Sequence, residues 1–74
     1  MSQTITFAGN VTLLMDVAVR RCELRGTLAR LMPHAMAHHR EDAHYFVTNR
    51  PIQYWTDAQE RDVVTLIASI RRTL

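Results

Sequence analysis

The 74-residue sequence contains no lysine, one cysteine, two glycines, two prolines and only two serines. Each scarcity removes a class of function. A single Cys22 allows neither an internal disulfide nor a cysteine zinc framework, and it fits a reducing cytoplasm. Gly9 and Gly26 are too few and too far apart for a phosphate-cradling loop. Serine occurs only at Ser2 and Ser69, and nothing supplies a third group to orient a Cys22–histidine pair, so no nucleophilic arrangement is visible. No apolar run approaches the ~18–20 residues that span a bilayer. Residues 1–10 lack a basic stretch followed by an apolar one, so nothing indicates export. These absences together lead us to expect a cytoplasmic chain that is not an enzyme, takes no cofactor and engages no membrane.

The missing lysine stands against nine arginines. That imbalance is a codon signature of GC-rich genomes and points to a bacterial or phage source. Arginine also differs in physics, because its planar fork makes bidentate contacts and tolerates interfaces. The net charge is +2, nine arginines against seven acids. The excess lies in the first half, where Arg20, Arg21, Arg25 and Arg30 outnumber Asp16 and Glu23. A dedicated nucleic-acid binder carries a stronger basic stripe.

What is present is mostly helical pattern in one small domain spanning residues 1–74. One amphipathic helix is expected over about 11–32, with Asn10 as its N-cap and Pro33 closing it. Its apolar arc, including Leu14, Ala18, Leu24 and Leu28, is wider than a single packing surface requires. Gly26 is a soft spot that can split or kink it. Cys22 falls on the apolar arc and reads as a small buried hydrophobe. A second helix is expected over about 57–72. Thr56-x-x-Gln59 and Asp57-x-x-Glu60 both have capping-box spacing, and acids lead while Arg71 and Arg72 close. Val63, Ile67, Ile70 and Leu74 make a coiled-coil-like seam along it.

Between these helices a short middle helix follows Pro33. Tyr45–Thr48 and Ile52–Trp55 are rich in strand formers around the turn signal Asn49-Arg50-Pro51, which suggests a small β-hairpin at about 44–55. Two other readings remain open. Thr4–Phe7 can add a third strand to an antiparallel sheet in an α+β fold. Alternatively, Met36, His39, Ala43, Phe46 and Val47 share a helical spacing that carries the middle helix on to Val47.

Four histidines fall between His34 and His44. On a continuous helix His34, His38 and Glu41 share a face, the only candidate metal ligands in the sequence, but nothing elsewhere completes the set and no metal is expected. Histidine is also the side chain whose charge changes nearest neutral pH. Arg21 and Arg25 project from the apolar arc of the first helix. They either snorkel or pair with Asp57 or Glu60, or else they belong to an interface in which arginine joins aromatic anchors. On the second account Arg21, Arg25, Arg50, Tyr54 and Trp55 are the partner-binding residues, with Tyr54 and Trp55 exposed. Excess amphipathic surface implies a homodimer with a larger protein partner. The function expected is a small interaction module or inhibitor that occludes that partner, such as a phage or mobile-element accessory protein antagonising a host factor. The alternative is a small nucleic-acid-associated regulator using Arg20, Arg21 and Arg25.

Overall fold

The computed structural model describes residues 3–74. The fold is mostly α, with three α-helices and one two-stranded antiparallel hairpin. Strands β1 (Thr4–Phe7) and β2 (Val11–Leu14) lead directly into helix α1 (Met15–Leu31). A 3-10 turn, Met32–His34, follows. Helix α2 (Ala37–His44) continues as a π-helical turn, Tyr45–Asn49. A second 3-10 turn, Ile52–Tyr54, then enters helix α3 (Asp57–Arg72).

The hairpin lies at the N-terminal end, not at 44–55. Gly9 and Asn10 have φ of +82° and +60°. Asn10 therefore shapes a hairpin turn and is not a helix cap, and α1 begins at Met15 rather than near Val11. Two successive residues at positive φ are a hairpin requirement that glycine and asparagine meet at little cost. Phe7 pairs with Val11, Thr6 with Thr12, Ile5 with Leu13 and Thr4 with Leu14. The Thr6 and Thr12 hydroxyls bond across the strands at 3.0 Å. Residues 4–7 add no third strand to a larger sheet, because their partner is β2 alone.

Residues 44–55 are helical or looped because their apolar residues serve one core from one side. Ala43, Phe46, Ile52 and Trp55 are all buried together. The helical spacing of Ala43, Phe46 and Val47 delivers them to that core, whereas strand alternation would turn every second residue away. Pro51 ends the helical run, since the preceding residue is driven out of helical conformation. Arg50 is accordingly extended, at φ −126° and ψ 95°.

Helix α1 runs through Gly26 without a break. It lies parallel to α3. Arg20 and Arg21 reach Glu60 at one end, and Thr27 meets Ala68 and Arg71 towards the other. The seam of α3 is spent inside the molecule: Val63, Leu66, Ile67 and Ile70 pack with Leu28, Ala35 and Phe46. Only Leu74 and Val64 remain outside. Cys22, expected in the interior, is exposed on the far side of α1. Among the described residues no helix is long and apolar enough to cross a membrane.

The hairpin extends beyond the helices, giving extents of 40 × 23 × 19 Å. The radius of gyration is 12.9 Å, against about 11 Å for a compact chain of this length. Its anchor is the Gly9 turn. A side chain on Gly9 would collide with the Tyr54 hydroxyl, so only glycine lets the turn seat on that ring. Gly9→Ala combines this clash with a positive φ and should cost about 1–2 kcal/mol. Chemical denaturation should detect the loss, and amide exchange should place it in the hairpin.

Candidate functional site

Arg21 is the most unusual side chain in the molecule. It is 3% exposed and is the buried charged residue of the interior. Helix α1 points it at the start of α3, where every guanidinium nitrogen finds an acceptor. Its Nε donates to Glu60 Oε1 at 2.7 Å. Its Nη1 donates to the carbonyls of Trp55 at 2.7 Å and Ile52 at 3.2 Å. Its Nη2 reaches Asp57 Oδ1 at 3.3 Å. The second Glu60 oxygen accepts from Arg20 Nε at 2.8 Å. The Asp57 side chain is 91% exposed, so water screens it and Glu60 is the principal counter-charge.

These bonds explain how an irregular segment is held. Between the π turn and α3 the backbone has few partners of its own, and unpaired buried carbonyls are costly. Arg21 takes the Trp55 carbonyl and shares the Ile52 carbonyl with the Trp55 N–H. Arg50 Nη2 takes the Tyr54 carbonyl at 2.6 Å, while the Trp55 indole donates to the Arg50 carbonyl at 2.8 Å. The Arg50 guanidinium also sits 5.9 Å from the Tyr54 ring centre, within cation–π range. Helix α3 then starts with a reciprocal cap. Gln59 N–H donates to Thr56 Oγ1 and Thr56 N–H to Gln59 Oε1, each at 3.0 Å. Of the two capping-box spacings in the sequence, the fold uses Thr56–Gln59 and leaves Glu60 free for arginine.

The expected partner-binding residues are thus brought together, but mainly around an internal lock. Arg21 and Trp55 are both 3% exposed and cannot present an outer surface. Trp55 packs edge-on to Phe46, with ring centres 5.6 Å apart. Burial of Trp55 follows from its indole and carbonyl both having inward partners. Tyr54 does face out, at 41% exposure, beside the half-buried Arg50. Arg25 is half-buried one turn beyond Arg21 and makes no ion pair among the described residues.

The histidines do not form a ligand set. His34 belongs to the 3-10 turn, and Ala35 and Met36 are extended before α2 begins, so His34 shares no helical face with His38 and Glu41. Among the described residues no three histidine, cysteine or acidic side chains converge on a metal position. His38 and His39 instead lie ring to ring, with centres 4.1 Å apart.

The surface that sequence reasoning overlooked is the hairpin. Met15 N–H donates to the Gln3 carbonyl at 2.8 Å. Hydrogen-bonded and non-bonded pairs alternate in an antiparallel ladder. Ile5–Leu13 and Phe7–Val11 are therefore bonded pairs, and Thr4 and Thr6 direct their backbone N–H and C=O groups to the open edge of β1. One face carries Ile5, Phe7, Val11 and Leu13. Phe7 packs on the core, Val11 and Leu13 are half-buried, and Ile5 is exposed. The Gly9-Asn10 pair between alternating apolar residues was the available signal.

No protein-family model, curated protein or solved structure matches this chain.

Burial raises the Glu60 pKa, but the hydrogen bonds and charges of Arg21 and Arg20 outweigh it, and the carboxyl lies below its usual 4.5. A pKa depressed by folding stabilises the native state above the unfolded value, and the benefit is lost as pH falls through the folded one. Stability should therefore drop below pH 4.5. Glu60→Gln should lower stability at neutral pH and flatten that acid limb, as measured by denaturant titration at several pH values.

Arg21→Leu would leave one Glu60 oxygen and the Trp55 carbonyl without their buried partner. We expect a loss of about 3–5 kcal/mol, enough to unfold much of a population whose total stability is about 5 kcal/mol. Far-ultraviolet circular dichroism would register it.

Proposed function

We propose that this chain is a small interaction module that self-associates and acts by covering a surface of a larger protein partner. The observation that carries the reading is the hairpin. It is two strands of four residues each, seated on the core through Phe7 and on Tyr54 through the Gly9 turn, with Ile5 left exposed. Both of its edges are unpaired in the described chain. The β1 edge, Thr4-Ile5-Thr6-Phe7, carries no charge, proline or bulge, the devices that normally blunt an edge.

A second copy suits this edge. Pairing β1 with β1 about a two-fold axis through Ile5 sets threonine opposite threonine and isoleucine opposite isoleucine, with no like charges in register. The result is a four-stranded sheet with two apolar faces of Ile5, Val11 and Leu13 made continuous. Such an isologous contact is the commonest route to a soluble dimer. The outer rim, with Tyr54, Arg50 and Arg25, then remains for the larger partner, in keeping with the enrichment of tyrosine and arginine in interfaces.

Use of α1 on nucleic acid finds less support. Arg21 is interior and Arg20 is engaged with Glu60, leaving Arg25 alone of the three arginines once assigned to phosphate.

Sedimentation velocity across the micromolar range tests the association. Wild-type protein should move from monomer to dimer with rising concentration. Thr6→Lys and Thr6→Pro, which charge the open edge or remove its N–H, should stay monomeric with unchanged helical content. A wild-type chain that remains monomeric throughout, or variants that dimerise as well as it does, would overturn the hairpin edge as the contact.

A further inference from the structure

A second surface lies in the seam where α1 and α3 run side by side. Leu24, Thr27, Val64, Ile67, Ala68 and Arg71 line a groove of about 260 Å³ there. Its floor is Ile67, which belongs to the core. Its walls are small or apolar, and Val64 is 50% exposed in its middle. A neighbouring depression shares Thr27 and adds Glu23, Gly26 and Arg30.

The geometry limits what fits. Towards the start of the two helices the seam is bridged by the Arg20–Glu60 ion pair at 2.8 Å, outside the lining of the groove. From Val64 to Arg71 it is open for seven residues of helix, about 10 Å at ~1.5 Å per residue. Small residues at Thr27 and Ala68 let another backbone approach closely, and an apolar strip between two helices is the usual seat for a third helix.

Charge decides which helix. The helices are parallel, so both C-terminal turns meet at the open end, bringing Arg30 from α1 together with Arg71 and Arg72 from α3. Arg30 is held to Thr27 Oγ1 at 3.3 Å and Arg72 to Ser69 Oγ at 3.1 Å. None of the three has an acidic partner among the described residues. Glu23 lines the neighbouring depression with Arg30, about two turns nearer the start of α1, and makes no ion pair with it. The two C-terminal turns also present the negative ends of two helix dipoles. An entering helix is favoured when its own positive N-terminal end lies over them and its first turn carries acids for the arginines.

We propose that the α1–α3 groove binds an acidic amphipathic helix of the larger partner, seated antiparallel to α1 and α3 with its acidic first turn over Arg30 and Arg71. The proposal rests on reading the chain as an interaction module, but it uses a different face from the hairpin edge. Its occupant is a helix of a protein, in which apolar anchors enter between Leu24 and Val64.

The test uses three labelled, side-chain-stapled helical peptides of about 15 residues, long enough to outspan the groove. One carries leucine and alanine on one face and glutamates in its first turns. The second has lysine in place of glutamate. The third is a scramble of the first that disperses its apolar face. Binding is read by fluorescence anisotropy up to about 1 mM, and its location by amide chemical shifts. The glutamate peptide should bind saturably and at least about tenfold more tightly than either control. It should weaken by a similar factor with Ala68→Glu or Arg71→Glu, and shift the amides around Leu24, Thr27, Val64 and Ala68. Its affinity should also fall with added salt. No saturable binding, equal binding of the lysine peptide or the scramble, or shifts confined to another surface would overturn the groove assignment. Running the same titration on Thr6→Lys separates the two claims. A monomeric variant that still binds the peptide keeps the groove while isolating the hairpin contact, and a wild-type dimer that ignores it leaves self-association standing without the groove.

Discussion

The guanidinium of Arg21 is the point through which α1, the 52–55 turn and α3 are joined. A buried arginine is expensive to desolvate, and here the cost is met by fixed acceptors: a carboxylate held from both sides, the Trp55 carbonyl, and the Ile52 carbonyl that the Trp55 N–H also uses. Because those acceptors come from elements some 31 to 39 positions apart in sequence, the pairing forms only when the whole fold is assembled. It also sets the alignment of α1 against α3. With Arg20 and Arg21 on Glu60, Leu24 falls opposite Val64 and Thr27 opposite Arg71, and the open end of the seam becomes cationic.

The same lock redistributes the aromatic residues. Trp55 is drawn inward because its carbonyl faces Arg21 and its indole faces Arg50, while Tyr54, one residue earlier, turns outward and receives the Gly9 turn. A side chain that looked suited to binding another protein thus became the anchor for the hairpin. What stays exposed is accordingly not the largest aromatic but the open backbone edge of β1 and the groove between parallel helices.

Much of this was legible beforehand. Helix α3 could be bounded to the residue, since Thr56, the leading acids and the closing arginines are local signals that act within one turn of the chain. The pairing of Arg21 with Asp57 or Glu60 was one of the two accounts its position on an apolar arc allowed. The hairpin was misplaced for a physical reason. Strand propensity largely reports how well a side chain fits a half-buried surface, and Tyr45, Phe46, Ile52 and Trp55 fit a helical or looped surface equally well once the core lies to one side. Val11–Leu14 had the opposite ambiguity, continuing the apolar pattern of α1 while following a turn that only a hairpin requires. Cys22 and His34 were misjudged because a helical wheel assumes one unbroken helix and one buried direction. Ala35 and Met36 break the first assumption, and the narrow contact face of α1 breaks the second.

By itself the sequence determined the helix-rich class and the extent and capping of α3. These depend on residue type and on spacings within a turn or two. Only the tertiary structure decided which amphipathic surface is consumed and which is left. The α3 seam is covered by α1 and α2, Arg21 is neutralised from a distance, and what stays uncovered includes the hairpin edge and the α1–α3 groove beside scattered side chains such as Val19, Met36 and Tyr45. Burial is a property of pairs of surfaces, so no single stretch of the chain can report it.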